Sequence, residues 1–187
     1  MSDFIKQLNL LSPLSPEAEE DLLARLKPMA FKKGQVINKE EQICKKLFFI
    51  DKGLVKHYYH QKDRIFILKF FAENQFFTVL DSFTNQTPSK FITIALEDTE
   101  TTGLDHTDFI ELCEKHHSFE TFARKLFAMA AIVNLKRIKE MFDAESAELY
   151  AEFIKENNHL LNRLKLGDIA SYLGISQVTL SRIRSKK

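Results

Sequence analysis

The sequence predicts an α+β chain in three sections: an N-terminal β jelly roll, a long helix and a C-terminal helix-turn-helix. Three observations predict it. Between Phe31 and Thr102 apolar residues alternate with period two and are punctuated by turn-formers; from about Ser118 to Phe142 there is neither Gly nor Pro; and Leu166 to Ile183 meets the positional demands of two short helices crossing at a steep angle. The expected sections run over residues 1–117, 118–143 and 144–187.

The first strong element is Ser15-Pro16-Glu17-Ala18-Glu19-Glu20-Asp21, a helix start with a Ser cap, Pro in the first turn and four acids near the positive end of the dipole. Leu22, Leu23 and Leu26 supply its apolar side, and Pro28 stops it. Strands are then expected over Lys33–Ile37, Lys46–Ile50, Leu54–Tyr59, Ile65–Phe71 and Phe91–Ala95, all rich in β-branched and aromatic residues. Asp51-Lys52-Gly53, Gln61-Lys62-Asp63-Arg64 and Asn85-Gln86-Thr87-Pro88 separate them as turns, which suits an antiparallel barrel or jelly roll. Of the aromatics here, Phe66, Phe70, Phe71, Phe76 and Phe77 fit core packing, or the wall of a site for an apolar ligand.

Asp105 is placed to cap a short helix through Leu112. In the long helix that follows, Phe119, Phe122, Leu126, Met129 and Val133 form one stripe, which Leu135, Ile138 and Phe142 continue with a shift of face. Ala128, Ala130, Ala131 and Ile132 make that stripe wider than one packing partner needs. One side is therefore expected to cover the barrel and the other to form a dimer seam. Asp143-Ala144-Glu145-Ser146 interrupts the pattern and recaps a helix over about Ala147–Leu161.

At the C-terminal end Ile169 and Leu173 form an inward i, i+4 pair, Ala170 is the small residue at the crossing, and Gly174 supplies the turn. Ile175 turns inward, and Leu180 and Ile183 anchor the second helix. Ser176 is placed to cap that helix, accepting from Val178 or Thr179. Its outward residues Gln177, Thr179, Ser181, Arg182 and Arg184 are polar or basic without a carboxylate. From Leu160 onward six basic residues face one acid, a net +5, leaving 21 basic and 25 acidic residues, or −4, for residues 1–159. A local excess of this kind suits phosphate contacts with double-stranded DNA even when the whole chain is near neutral.

With 44% apolar residues and 17 Phe in 187 positions, a packed core is expected rather than disorder. No run of about 18 apolar residues would span a bilayer. The N-terminal Met-Ser-Asp-Phe-Ile-Lys lacks the basic then apolar pattern of a secretion signal, so a cytoplasmic protein without a membrane partner is expected. Cys44 and Cys113 are unpatterned thiols, and an iron-sulfur cluster would ask for four. Cys113, His116 and His117 offer one thiolate and two adjacent imidazoles, which a solvated helix end explains more simply than a metal site. No cofactor is expected.

This order of parts resembles the CRP/FNR family of bacterial transcription regulators over nearly the whole chain. Phe31-Lys32-Lys33-Gly34-Gln35 is similar to the family's turn leading into the barrel, and Phe49-Ile50-Asp51-Lys52-Gly53-Leu54-Val55 to its second Gly-containing hairpin. The C-terminal Ala-Ser-Tyr-Leu-Gly-Ile-Ser-x-x-Thr-Leu-Ser-Arg-Ile-Arg pattern is the most specific element and resembles regulators of Bacteroidetes-type bacteria. The resemblance implies a cyclic-nucleotide-binding-like sensor and a homodimer on an inverted-repeat operator, with half-sites about one helical turn apart. It also implies RNA polymerase as a further partner.

Carried over singly, the family's base-reading positions fall on Gln177, Val178 and Arg182, with Ser176 and Thr179 near phosphates; Ser181, Arg184 and Lys186 complete the expected DNA face. Val178 departs from a frequent Glu and offers only apolar contact. The family's cyclic-nucleotide cassette, Gly-Glu followed by Arg-Ser, falls on Thr78-Val79 and Ser89-Lys90. All four positions have changed. With Phe77 these define the expected effector pocket, for an effector of unknown identity other than cyclic AMP or GMP, because a single Lys90 does not replace a bidentate guanidinium.

The chain stops at Lys187, where many relatives continue into a wing; Lys186 and Lys187 would partly compensate. Together with Val178 this keeps a second reading open, a ligand-binding sensor whose DNA reader is weak or vestigial. An enzyme is third: no Ser/His/Asp or Cys/His arrangement, phosphate-binding Gly loop or paired-carboxylate motif stands out.

Overall fold

The computed structural model describes residues 2–62 and 64–185. Two short helices lead, α1 (Ser2–Leu11) and α2 (Pro16–Arg25). Ser15 caps α2 as expected, its hydroxyl accepting from the Ala18 amide at 3.3 Å. The strands are β1 (Lys27–Phe31), β2 (Val36–Asn38), β3 (Lys46–Lys52), β4 (Val55–Gln61), β5 (Arg64–Phe71), β6 (Phe76–Phe77), β7 (Ile92–Ala95) and β8 (Thr99–Asp105), with helix α3 (Leu80–Asn85) between β6 and β7. They form two antiparallel four-stranded sheets, ordered β1-β8-β3-β6 and β2-β7-β4-β5. Beyond them run α4 (His106–Lys115), α5 (His117–Asp143), α6 (Ser146–Asn157), α7 (Leu166–Leu173) and α8 (Gln177–Ser185).

Several boundaries differ from the sequence reading, each for a local reason. The expected strand over Lys33–Ile37 begins only at Val36, because Gly34 turns the chain at φ +83° and Gln35 closes that turn on the Lys32 carbonyl. Pro28, expected only to stop a helix, lies inside β1, which is the edge of its sheet, where a missing N–H costs no ladder bond. The helix expected to reach Leu161 ends at Asn157 and passes into a 3-10 turn. Asp105 stands at the start of α4 without capping it; its carboxylate is taken by Lys27 at 2.5 Å and by Lys46.

Three apolar clusters hold these parts together. Between the sheets lie Phe31, Phe48, Ile50, Val55, Phe77 and Ala95. The opposite face of the first sheet packs Leu47, Phe49 and Leu104 against Phe4, Leu8, Phe109, Phe119 and Phe122 of the helices. Five Phe rings, at 4, 49, 83, 119 and 122, are almost wholly buried, each worth roughly 1.5–3 kcal/mol of transfer free energy. The third cluster joins the outer side of the second sheet (Leu54, Ile67, Phe70, Ala72) to the C-terminal helices (Leu149, Tyr150, Phe153, Ile169, Leu173, Leu180). Of the aromatics expected in or around the barrel, Phe70 and Phe76 therefore face outward, into the C-terminal and helical clusters. Thr101 Oγ1 is the one buried side-chain polar atom without a partner among the described residues.

Charged pairs fasten the C-terminal helices to the second sheet. Arg163 forks onto Glu73 with two bonds of 2.9 Å and reaches Glu97 at 2.6 Å, while Lys56 on β4 meets Asp168 on α7 at 2.7 Å. Among the described residues no helix is long and apolar enough to cross a membrane.

Candidate nucleic-acid interface

The α7–α8 pair is built by local rules. Gly174 ends α7 at φ +71°, a left-handed conformation that suits glycine, and Ile175 turns back so that its amide bonds the Ala170 carbonyl at 3.0 Å. Ala170, only 3% exposed, lies in the C-terminal cluster with Ile169, Leu173 and a fully buried Leu180. Ile175 and Ile183 pack against its edge. The cap on α8 is Ser176, whose hydroxyl accepts from the Thr179 amide at 3.0 Å and lies 2.8 Å from the Thr179 hydroxyl.

With its inner side committed, α8 presents Gln177, Val178, Ser181, Arg182 and Arg184 to solvent, with Ser176 exposed before it and Thr179 partly so. Val178 is 60% exposed. Neither Arg182 nor Arg184 pairs with a carboxylate among the described residues. Lys186 lies outside the described residues. Of the basic residues counted toward this end, Arg163 is not part of the face: bonds to Glu73, then Glu97, consume its guanidinium and hold it firmly protonated. Glu73 answers in kind. Burial would raise its carboxyl, yet bonds from Arg163 and the Gly53 amide hold it down at about 2.

The expected effector-pocket residues occur together around α3, and all but Lys90 are at least partly buried. Phe77, Val79 and Ser89 are buried, Thr78 is partly buried, and Lys90 is exposed. The hydroxyls of Thr78 and Ser89 are already used. The Thr78 hydroxyl donates to the Lys46 carbonyl at 2.9 Å, and the Ser89 hydroxyl to Asp81 at 2.9 Å. The β2–β3 connector is stitched to the same segment through Cys44 N to Ser82 Oγ at 2.8 Å and Glu41 N to the Ser89 carbonyl at 2.8 Å. A cleft of about 510 Å³ opens elsewhere, between β1, β2 and β3, over Met29, Phe31, Ile37 and Phe48. Sequence patterning gave no sign of it, since its lining comes from three strands and a connector.

Helix α5 divides along its length. Phe119, Phe122 and Ala123 are buried against the sheet and helices. Past Phe127 the apolar side is bare: Met129, Ile132, Leu135, Ile138, Met141 and Phe142 are at least half exposed, Phe142 to 85%. The stripe thus does not stay within the helix's own fold. At the other end Cys113 is partly buried, which pushes its thiol up to about 11, and His116 Nε2 lies 3.0 Å from Asp21. His116 is thereby occupied, and His117 is open to solvent.

Two antiparallel sheets with a short helix between β6 and β7, followed by a long helix and a terminal helix pair, define a two-sheet β domain carrying a helical extension. Residues 28–116 match the family model described as Cyclic nucleotide-binding domain. This segment is similar to that family, and the chain as a whole has a fold like that of solved CRP/FNR family transcription regulators. It superposes on FixK2 from Bradyrhizobium japonicum with a TM-score of 0.73 and 21% identity, covering 86% of this chain and 83% of that one. A mutant of CooA from Carboxydothermus hydrogenoformans gives 0.70 and 17%, with 88% and 77% covered. A transcriptional regulator of the CRP/FNR family from Eubacterium rectale gives 0.71 and 14%, with 91% and 82% covered. No curated protein matches the sequence.

Proposed function

We propose that this protein is a dimeric, sequence-specific DNA-binding transcription regulator of the CRP/FNR type, its sections being a sensor over residues 1–117, a dimerisation helix over 118–143 and a helix-turn-helix reader over 144–187. The observation that carries the reading is α8: capped by Ser176, anchored by a buried Leu180, and presenting Gln177, Arg182 and Arg184 with no acid among them. A helix so held can enter a major groove, where a guanidinium meets the O6 and N7 acceptors of guanine and a carboxamide the edge of adenine. Val178 adds apolar contact, suited to a thymine methyl. Ser176, Thr179, Ser181 and Lys186 serve the phosphates.

The bare apolar side of α5 supports the dimer, since two copies pairing along Ile132, Leu135, Ile138 and Phe142 would cover it and set two α8 helices about a two-fold axis. The effector is not a cyclic nucleotide in this reading. Thr78, Val79, Ser89 and Lys90 supply neither a ribose acceptor nor a paired guanidinium, and the hydroxyls of Thr78 and Ser89 are engaged within the protein.

Selection of bound duplexes from a random pool tests the proposal. It should return an inverted repeat with half-sites about one helical turn apart. A pool that stays random after repeated rounds, at a salt concentration where the protein still binds DNA, would overturn it and favour a sensor with a vestigial reader.

A further inference from the structure

Strands β1 and β2 are edges of their respective sheets, and the cleft of about 510 Å³ opens between them, at the side of the sandwich away from β4 and β5. Its depth comes from one residue. Lys27 of β1, Gly103 of β8 and Phe48 of β3 are successive cross-strand partners. Because Gly103 carries no side chain, the cleft passes β8 and reaches the Phe48 ring, two strand spacings or about 9.5 Å from β1. The Met29 sulfur covers the gap, since a Cβ built on Gly103 would stand 3.2 Å from it. An unbranched thioether in that place moves aside at little cost.

The floor is apolar and the rim is basic. Phe31 and Phe48 belong to the core between the sheets, Met29 and Ile37 are partly buried against that core, and Ile43 is 37% exposed. The lining holds Lys45 and Lys46 and no carboxylate. Lys46 is committed to Asp105, whereas Lys45 is exposed and no carboxylate pairs with it among the described residues. Asn38, only 6% exposed, donates one hydrogen of Nδ2 to the Lys39 carbonyl at 3.1 Å and keeps the other. An apolar trough with a free ammonium and an amide donor at its edge is complementary to a molecule with an apolar tail and an anionic head.

We propose that this cleft binds an unbranched carboxylic acid of medium chain length, its tail over Met29, Ile37 and Phe48 and its carboxylate on Lys45 Nζ and the remaining N–H of Asn38. The site draws on β1, β2, β3 and the β2–β3 connector and on no residue of β4, β5 or the segment 78–90. Any effect of the ligand on DNA reading rests on the regulator proposal; its binding does not.

The test uses the full chain without DNA, so that a failure of DNA reading leaves it unaffected. The methionine methyls are labelled with carbon-13, and octanoate below its micellar concentration, octan-1-ol and acetate are titrated in turn. Octanoate should shift the Met29 methyl saturably and give nuclear Overhauser contacts from its chain to Met29, with none to Met129 or Met141 on the bare side of α5. Acetate, lacking the tail, should not bind. Octan-1-ol should bind at least about threefold more weakly, and Lys45→Met should weaken octanoate by a similar factor while leaving the alcohol unchanged. Lys69→Met, on β5, should bind octanoate as the wild type does. Absence of a saturable shift at Met29, contacts to Met129 or Met141 in its place, undiminished octanoate binding by Lys45→Met, or loss in Lys69→Met would each overturn the site.

Discussion

Arg137 of α5 lies across the ring of Tyr172 on α7, its guanidinium carbon 4.1 Å from the ring centre, and donates to the Tyr172 carbonyl at 2.5 Å. One side chain thus couples the long helix to the terminal helix pair, from a position 35 residues away in sequence. Phe70 and Phe153 flank the same tyrosine at 5.5 and 5.2 Å, so Tyr172 is where sheet, long helix and α6 converge on α7.

Arg137→Ala should loosen α7 and α8 without unfolding the barrel, costing about 1–3 kcal/mol through the lost cation–π contact and the lost bond to a carbonyl. Amide exchange checks this. Protection should fall in residues 166–185 and hold in β3 and β8; a uniform fall would place Arg137 in the global core instead.

Acid unfolding should report on the Arg163 fork. Glu73 is held at about 2 in the folded chain, against an ordinary value near 4.5. A carboxyl depressed by folding lends stability that is present above its unfolded value and is lost as pH falls from about 4.5 toward 2. Arg163→Met removes the partner and leaves two carboxylates facing each other, so it should cost on the order of 1–2 kcal/mol at neutral pH and flatten the loss in that window. Urea titrations at pH 7, 4.5 and 3 measure both, and an unchanged pH slope would remove Glu73 from the account.

The proposed dimer seam predicts that Ile132→Glu with Leu135→Glu yields a folded monomer, because both positions are about two-thirds exposed in the single chain and need not be charged to fold it. Light scattering at micromolar concentration should show the wild type at twice the mass of this variant. A wild-type monomer would count against the seam.

Cyclic AMP should not raise the melting temperature, because the cassette positions Thr78, Val79, Ser89 and Lys90 lack the groups that would hold its ribose and phosphate. A saturable rise at micromolar ligand would reverse that conclusion.

Much of this layout is legible in the chain because the deciding signals are local. Ser15, Gly174 and Ser176 each act on residues within four positions, through a cap or a left-handed turn, and each does in the structure what its neighbours in sequence imply. The bounds of α5 follow from the lack of Gly and Pro over Ser118 to Phe142. Helix α1 is missed because a ten-residue helix offers only a short periodic signal, although Phe4 and Leu8 are nearly fully buried. Strand β8, with Thr at 99, 101 and 102 and Gly at 103, lacks apolar alternation and is a strand because it lies between β1 and β3.

What joins the parts was not legible. Arg163 counts toward a basic end in sequence and is neutralised in space by Glu73 and Glu97; Lys56 meets Asp168 from 112 positions away; and Lys69 and His57 become neighbours only through the register of β4 and β5. Partners of this kind are set by tertiary packing, about which hydrophobic period says nothing.

Whether α8 reads bases is decided by titrating wild type and Arg182→Ala against a selected operator and a scrambled duplex at one fixed salt concentration. Arg182→Ala should lose about 1–3 kcal/mol on the operator and much less on the scrambled duplex. Equal losses on both duplexes would contradict it.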